Sequence, residues 1–468
     1  MKLMKFGKAL LMSALSAGLM LGVTSCVRGY TVGFLYVTGT QTADTTSNGI
    51  ISGFRIDHNS GKLTAIHGMP VSSGGANPVR AVLISGSRFV YVLNRGANSN
   101  GGSTCTVDDP CLNSNISQFA VGGNGSLTFV NSYTTQGINP FRLVADGSGT
   151  HLYVLEESAP TSSSSGVVPA SVACPAVLGS GVTSCGDITA FAVDSNTGRL
   201  TLVTNSAATT SLGETLSYFP VPANPVDFTM ASSYLLTLSD TPATTGGTGE
   251  SVFPYSYTSS TGQLTVNPVD ALSDVKEATA IISAGSYVYV LDNEPPSGNT
   301  DTAVYSQILP YSVGTSGSLS AVSSGAIAGA EGLANPVRLT LESKGKWFYV
   351  ANAGCTGDVY DAKGKLVYTC PSTSANGVAA YILNSPYHPE LVSNITVNSG
   401  TGSGPQCLVE DPSDQYFYEA NANDATVTAH SFDANRGTLY PLQQTHNVPS
   451  SYTLNGPATW CLVDGRTN

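Results

Sequence analysis

The chain has 468 residues, of which only 11% are charged, and its formal net charge at pH 7 is −12. Because phosphate binding needs a basic surface, this balance argues against nucleic acid as a partner. The 50 glycines, together with abundant Ser, Thr and Asn, favour an all-β protein exposed outside the cytosol over a cytosolic enzyme.

The first 26 residues predict a lipoprotein signal peptide. Three lysines precede an apolar stretch at 9–22, and the sequence Val-Thr-Ser-Cys ending at Cys26 resembles the lipobox of bacterial lipoproteins. An ordinary secretory signal with a chance cysteine is the alternative. Val27, rather than Asp, after the lipidated Cys26 indicates the outer membrane of a host that has one. Residues 27–33 then form a short tether, so we expect a domain in the cell envelope, on the periplasmic side or the cell surface, held to the membrane only through its lipid anchor.

Removal of the leader leaves 16 basic against 31 acidic residues, a formal charge of −15. No other stretch is long and apolar enough to span a bilayer. We therefore predict one exported domain over 34–468.

Three short motifs recur in a constant order through that domain. The first is an apolar burst rich in Tyr and Val, marked by Tyr36, Tyr91, Tyr153, Leu236, Tyr289, Tyr349 and Tyr418. The second is a turn, usually Gly-x-Leu, marked by Gly61, Gly125, Gly198, Gly262, Gly317, the degenerate Pro389, and Gly437. The third opens a strand with proline, at Pro78, Pro140, Pro225, Pro336, Pro405 and Pro457, and Val275 to Lys276 is the exception.

Successive marks of the first motif lie 53 to 83 residues apart, which suits a repeat of four strands plus loops. Each repeat predicts strand A (led by Pro), strand B (the Tyr-Val burst), strand C, and strand D (after the Gly-x-Leu turn). That is a propeller blade. We predict an all-β, seven-bladed β-propeller of four-stranded antiparallel blades, without helices of any length.

The chain enters the first repeat at strand B and ends in a strand A, Ala458 to Val463. The C-terminal strand is therefore expected to complete the N-terminal blade and close the ring. Closed propellers expose few strand edges, so a monomer is expected.

The position two residues after the strand A proline predicts a ring of side chains in the central channel, because strand A lines that channel. The ring is expected to contain Arg80, Arg142, Asp227, Ala278, Arg338 and Cys407. Cys461 is expected to be the equivalent in the closing strand, because Cys-Leu-Val occurs at both Cys407 and Cys461. Three arginines on one ring favour an anion site, since guanidinium groups bind carboxylate or phosphate with paired hydrogen bonds. The alternative is structural, with each arginine capping carbonyls of a neighbouring blade or pairing with Asp227.

Strand B ends beside this ring, where a carboxylate with a pKa raised by burial would serve as a general base. Glu156 and Asp292 are the candidates for that role, with Arg142 and Arg338 as catalytic arginines. The predicted substrate-binding residues are Arg80, Asp227, Arg95, Asn94 and Asn352. A solvated loop rim without catalytic function is the alternative.

Eight cysteines remain once Cys26 carries a lipid. Neighbourhood in the sequence pairs them as Cys105 with Cys111, Cys174 with Cys185 and Cys355 with Cys370, leaving Cys407 and Cys461. A disulfide between the last two would staple the closing blade to its neighbour, although two buried free thiols are the alternative. The three local pairs lie in loops between strands B and C, on the face that carries the arginine ring, and such decorated loops favour a binding face.

None of the six histidines falls on the ring, so a histidine-based nucleophile or metal site is not expected. No metal and no cofactor are predicted.

The ordered trio of motifs resembles the lactonase-like seven-bladed propellers, which include the propeller type of 6-phosphogluconolactonase and the fungal carboxymuconate lactonising enzymes. Residues 53–57, 61–63 and 77–80 carry the resemblance most clearly, and the strand B signature is also similar to that of the YVTN repeat propellers. The resemblance implies that a sugar lactone or similar cyclic ester is opened in the channel with help from arginines and an acidic residue. Arg80, Arg142 and Arg338 match the arginine of the family's Asn-Pro segment, whereas Glu156 and Asp292 correspond by position only.

Two hypotheses follow. The first is a lactonase-like hydrolase that acts on a small anionic or cyclic-ester ligand. The second is a non-catalytic envelope propeller that binds a ligand or partner through its loop-decorated face.

Overall fold

In the computed structural model the chain is a seven-bladed antiparallel β-propeller, as the repeats predict. The structure describes residues 30–40, 48–84, 88–102, 105–106, 108–162, 167–241, 249–284, 287–293, 306–322, 327–328, 336–354, 358–360, 366–369, 376–383, 389–396 and 400–465.

The strands in chain order begin with β1 (Thr31–Gly39), β2 (Ile50–Asp57), β3 (Leu63–Ala65), β4 (Val71–Ser72), β5 (Pro78–Leu83), β6 (Phe89–Asn94), β7 (Asn115–Val121), β8 (Leu127–Tyr133), β9 (Ile138–Ala145), β10 (His151–Ser158), β11 (Gly186–Val193), β12 (Leu200–Leu202), β13 (Asn205–Thr209), β14 (Thr215–Leu216), β15 (Phe219–Val221), β16 (Pro225–Ala231), β17 (Tyr234–Ser239) and β18 (Glu250–Thr258). They continue with β19 (Gln263–Val266), β20 (Asp270–Leu272), β21 (Ala278–Ala284), β22 (Tyr287–Asp292), β23 (Gln307–Val313), β24 (Leu319–Ala321), β25 (Ile327–Ala328), β26 (Pro336–Leu341), β27 (Trp347–Asn352), β28 (Asp358–Tyr360), β29 (Leu366–Thr369), β30 (Gly377–Leu383), β31 (Pro389–Thr396), β32 (Pro405–Glu410), β33 (Tyr416–Asn421), β34 (Thr426–Asp433), β35 (Thr438–Pro441), β36 (Ser451–Thr453) and β37 (Ala458–Gly465).

The ring closes as expected, because β37 pairs antiparallel with β1 and places Cys461 opposite Val37. Strand β1 begins at Thr31, three residues before the predicted start at Phe34. In five blades the outer edge is divided in two, and a second short strand (β4, β15, β20, β25 or β36) also pairs with strand C.

Neighbouring blades are joined by a hydrogen bond between two of the sequence motifs. The strand B tyrosine of one blade donates its hydroxyl to the backbone oxygen of the turn glycine in the next, as from Tyr36 to Gly125 at 2.7 Å. The bond from Tyr418 to Gly61, at 2.8 Å, does the same across the closure of the ring. Gly61 has φ +65, and a Cβ there would lie 2.4 Å from the ring of Tyr416, so this position requires glycine.

Two helices depart from the prediction that none would form. Helix α1 (Ala170–Leu178) lies in the long loop between β10 and β11, and α2 (Leu442–Thr445) is a single turn after β35. No side chain caps α1, which instead buries Ala170, Ala173 and Cys174 in a small apolar cluster. The helix is thus stabilised by tertiary packing, which strand periodicity does not reveal. No helix in the described part of the chain is long and apolar enough to cross a bilayer.

The strand directions define two faces of the disc. We call the face where strands A begin and strands B end the mouth face, and the opposite one the base face. The pairing of Pro78 with Asn94 lies at the mouth, and that of Leu83 with Val90 lies toward the base. All loops between strands B and C therefore open on the mouth face.

Candidate functional site

The channel ring forms largely as predicted, with two corrections of register. A strand B residue two places after its Tyr mark pairs with the ring position, as Leu93 does with Arg80. By the same pairing, Leu291 lies opposite Ala280 and Thr38 lies opposite Trp460. Ala280 and Trp460 therefore take the places expected for Ala278 and Cys461. The first of these strands has no proline at its start, and in the second the ring position lies three residues after Pro457 instead of two.

Two of the arginines contact Trp460, a residue that the sequence did not place on the ring. The guanidinium carbons of Arg80 and Arg338 lie over the Trp460 ring, 3.9 and 4.2 Å from its centroid. The indole N–H of Trp460 donates to the backbone oxygen of Ala81 at 2.9 Å, which holds the ring in place. Trp460 is only 8% exposed, so its indole fills part of the channel. Such stacking attracts a cation without neutralising its charge.

The third arginine is paired. Arg142 donates from Nε to Asp227 at 3.0 Å, and the other carboxylate oxygen of Asp227 accepts the backbone N–H of Ile281 at 3.2 Å. For Arg142 the structure thus shows the alternative given above, in which an arginine pairs with Asp227. Of the three guanidinium groups, those of Arg80 and Arg338 have no ion pair with a described carboxylate.

The electrostatics of the ring follow from three cations around one anion. Burial, followed by the like charges of Arg142 and Arg338, lowers the pKa of Arg80 well below its usual value. Burial also lowers the pKa of Arg338 to about 10, which leaves it protonated at neutral pH. The ring thus carries an excess of positive charge in a partly desolvated channel, and an anion bound there would relieve the repulsion.

Glu156 lies inside the third blade. It faces Asp187 across the β10–β11 pairing, and neither residue is exposed. Glu156 accepts hydrogen bonds from the hydroxyl of Thr189 at 2.6 Å and from the backbone N–H of Gly137 at 3.0 Å. Both carboxylate oxygens of Asp187 are buried, and among the described residues no group donates a hydrogen bond to either of them. Burial raises the pKa of both carboxyl groups, and the charge of Glu156 raises that of Asp187 further, so this pair binds protons more readily than two solvated carboxyl groups would.

Asp292 is also fully buried and binds a loop. It accepts the backbone N–H groups of Lys276 and Glu277 at 3.3 and 3.0 Å, and the side chain of Gln307 at 2.9 Å. In this structure the carboxyl groups of Glu156 and Asp292 therefore each hold strand ends together within their own blade, and their catalytic role stays a prediction.

The two predicted asparagines occupy the same strand-end position and are buried. Asn94 donates to Asn115 at 2.8 Å and to Ser117 at 3.1 Å, and Asn352 donates to the backbone oxygen of Val350 at 3.3 Å. The structure does not bring them into the arginine ring.

An accessible carboxylate lies one residue after Glu156. Glu157 forms an ion pair with Arg95 of the neighbouring blade and accepts the side-chain amide of Asn139 at 3.1 Å. Its side chain is 34% exposed at the mouth. Glu156, the residue that the sequence favoured as a base, is the buried member of this pair of neighbours, and Glu157 is the accessible one. The alternation of strand β10 places Glu156 inside the blade and releases Glu157 at the rim.

Three of the four predicted disulfides are present: Cys105–Cys111, Cys174–Cys185 and Cys407–Cys461. The pair Cys355 and Cys370 lies outside the described residues. The first disulfide closes a mouth loop next to Glu157, because the backbone N–H of Cys111 donates to Asn139 at 2.7 Å. Asn139 thus connects the loop to the carboxylate.

The second disulfide belongs to a small apolar cluster on the mouth face. Helix α1, Cys185 and the β13–β14 hairpin bury Leu216 and Tyr218 together, and the tyrosine hydroxyl donates to the backbone oxygen of Val168 at 2.8 Å. These insertions pack against each other and form an ordered surface on the mouth face. Among the described residues, no group of three His, Cys, Asp or Glu side chains is arranged to hold a metal ion.

The comparisons with known proteins agree with this geometry. Residues 46–166 match the family model described as lactonase, 7-bladed beta-propeller, which confirms the resemblance inferred from the motifs. No curated protein was found to match the chain.

Solved structures share the fold over nearly the whole chain. A putative 6-phosphogluconolactonase from Bacteroides fragilis has a TM-score of 0.59 and 14% identity, covering 92% of this chain and 98% of its own. One from Bacteroides uniformis has a TM-score of 0.58 and 14% identity, with coverage of 92% and 100%. The periplasmic gluconolactonase PpgL of Pseudomonas aeruginosa has a TM-score of 0.55 and 15% identity, with coverage of 92% and 99%. At these identities the likeness shows the propeller fold alone.

Proposed function

We propose that this lactonase-like propeller is a hydrolase that opens a sugar lactone or similar cyclic ester in its channel. The observation that carries the proposal is the ring in which Arg80, Arg142 and Arg338 surround one carboxylate, Asp227. The excess positive charge suits a ligand that is anionic or that becomes anionic during reaction. The lactonase family match and the gluconolactonase-like neighbours support the same class of substrate.

In the proposed reaction Arg80 and Arg338 stabilise the negative charge that develops on the ester carbonyl oxygen when water adds to the carbonyl carbon. The bond between that carbon and the ring oxygen then breaks, and the ring oxygen leaves as a hydroxyl by taking the proton that the general base removed from the water. The new carboxylic acid loses its remaining proton to solvent. The product is the open hydroxy acid, whose carboxylate the same arginines bind. The stacked Trp460 keeps both guanidinium groups in position without using a carboxylate.

A carboxylate must accept the proton of the attacking water. We propose Glu157 for this role, because it is exposed at the mouth, whereas Glu156 and Asp292 have no exposed surface. Arg95 and Asn139 fix the position of Glu157, so Arg95 acts through the carboxylate.

The test is hydrolysis of a panel of unphosphorylated sugar lactones by the soluble domain from Val27 onward. Turnover above the spontaneous rate is expected, with kcat/KM reduced at least about 100-fold in an Arg80→Ala, Arg338→Ala double variant. Arg199→Ala is the matched control, since Arg199 is an exposed arginine on the base face and its loss should change nothing. Glu157→Gln should lower kcat, and comparison with Glu156→Gln and Asp292→Asn assigns the base. Absence of turnover on every lactone, or an equal loss in the Arg199 control, would overturn the proposal.

The position of Trp460 favours a second function. Its indole fills part of the channel beside two of the arginines, which suits a propeller that binds a ligand without turning it over. In that case, sugar acids should raise the Tm of the soluble domain but not of the double arginine variant, with no hydrolysis of any lactone.

We also propose the setting in which the domain works. It is exported and anchored by a lipid at Cys26, it is a monomer, and nucleic acid is not among its ligands. The disulfides in its mouth loops support an oxidising compartment outside the cytosol.

A further inference from the structure

The folded chain leaves the propeller at its base face. Strand β1 begins at Thr31 opposite Asp57, at the base end of strand β2. The backbone oxygen of Tyr30 accepts the N–H of His58 at 3.0 Å, and the two rings stack with centroids 4.5 Å apart. The described chain therefore begins at the base face, and Cys26 is connected to the propeller at that face.

The segment between the predicted lipid site and this exit is short. Four residue steps separate Cys26 from Tyr30, and a fully extended chain spans at most about 14 Å over that number. A six-residue strand such as β6 (Phe89–Asn94), which runs from base to mouth, rises about 20 Å. A lipid on Cys26 thus reaches a membrane below the base but not one at the mouth.

The distribution of exposed charge also favours the base face as the side next to the membrane. Among the described residues, the turns of the base face carry six exposed cations: Lys62, Arg88, Arg199, Lys344, Lys346 and Arg436. Exposed carboxylates on the base face are Asp194 and Glu390. Its other described carboxylates are at least partly buried, and several hold turns, as Asp411 does by accepting the backbone N–H of Tyr416 at 2.8 Å.

The mouth face has the opposite balance. Its exposed described carboxylates are Asp108, Glu214, Asp274 and Asp424, against one exposed cation, Lys276. Anionic phospholipid headgroups attract lysine and arginine and repel carboxylates within about 10 Å, the Debye length at 0.1 M salt. The base face is therefore the one suited to a lipid surface.

We propose that the base face lies against the phospholipid bilayer that holds the Cys26 anchor, so that the arginine ring opens away from the membrane. The inference rests on lipidation of Cys26 and is independent of lactone hydrolysis. A water-soluble ligand then enters the channel without crossing the headgroup layer.

The test uses the full chain, lipidated by a bacterial host and placed in vesicles of phosphatidylcholine and phosphatidylglycerol. Lysines are labelled with a bulky water-soluble acylating reagent, and the rate at each site is read by mass spectrometry. The unanchored reference is the Cys26→Ser protein after removal of its leader. A Leu212→Lys variant adds a probe at the tip of the mouth-face hairpin, where Leu212 is 79% exposed.

Anchoring should slow labelling of Lys62, Lys344 and Lys346 at least threefold, and leave Lys276 and the added lysine at position 212 unchanged. Protection of the mouth-face lysines, or equal rates on both faces, would overturn the orientation. Recovery of the protein without a lipid on Cys26 would also overturn the proposed orientation, because the orientation rests on that lipid. Activity of the soluble domain is measured separately, so failure here leaves the hydrolase proposal to stand or fall by its own assay.

Discussion

The disulfide Cys407–Cys461 joins the inner strands of the last blade and the closing blade, β32 and β37. Both residues are buried, and their Cα atoms are 5.7 Å apart. Replacing both by alanine removes the covalent link between the blades. It changes little of the solvent-accessible surface, because both side chains are buried. The matched control is Cys105→Ala, Cys111→Ala, which removes a disulfide inside one mouth loop.

The expected magnitudes follow from the loops that each disulfide closes in the unfolded chain. Cys407 and Cys461 are 54 residues apart, whereas Cys105 and Cys111 are 6 apart. In the chain-entropy relation these separations correspond to about 4 and about 2 kcal/mol at 25 °C. The double variant at the closing blade should therefore lose about 2 kcal/mol more free energy of unfolding than the control.

The assay is guanidinium unfolding of the soluble domain, followed by far-ultraviolet circular dichroism, for the parent and both double variants. The midpoint for the Cys407, Cys461 variant should be the lowest of the three. If the loop disulfide proves equally costly or costlier to remove, then loop closure does not govern the stability of the ring and the reasoning is refuted.

Three further predictions concern buried groups. Because the pKa values of Glu156 and Asp187 are raised by folding, the folded state binds more protons, and stability should fall as pH rises above about 4, their usual range. Asp187→Asn should weaken that fall and gain stability relative to the parent at pH 8, and an unchanged pH profile from unfolding curves would contradict the raised pKa values. Tyr418→Phe leaves the buried oxygen of Gly61 without its donor and should cost about 1–3 kcal/mol in urea unfolding, and no loss would show that water replaces the hydroxyl. Arg338→Gln should reduce the rise in Tm that gluconate produces, and an undiminished rise would place the anion site elsewhere.

The propeller was predictable because its determinants are local and repeated. The strand B tyrosine and the turn glycine recur in every sequence unit but two, and in the structure they bond to each other across blade boundaries, as Tyr418 does to Gly61. A contact that each blade needs with its neighbour leaves the same mark in each repeat. The arginine ring was predictable for the same reason, since strand A repeats.

The predictions that were wrong concern segments that do not recur in the other blades. Trp460 lies in the one strand A that completes a blade from the other end of the chain, and a match of Cys-Leu-Val set its register one residue wrong. Helix α1 occurs once, in an insertion, and forms because the β13–β14 hairpin covers it.

The sequence by itself determined the seven blades, the closure by β37, and the strand that faces the channel, because alternation and turn chemistry act over a few residues. Only the tertiary structure decided which charges meet. Arg142 and Asp227 are 85 residues apart, and Arg80, Arg338 and Trp460 come from three different blades. The reach of each side chain across the channel depends on the diameter of the closed ring and the exact register of every inner strand, and neither is encoded in any one segment.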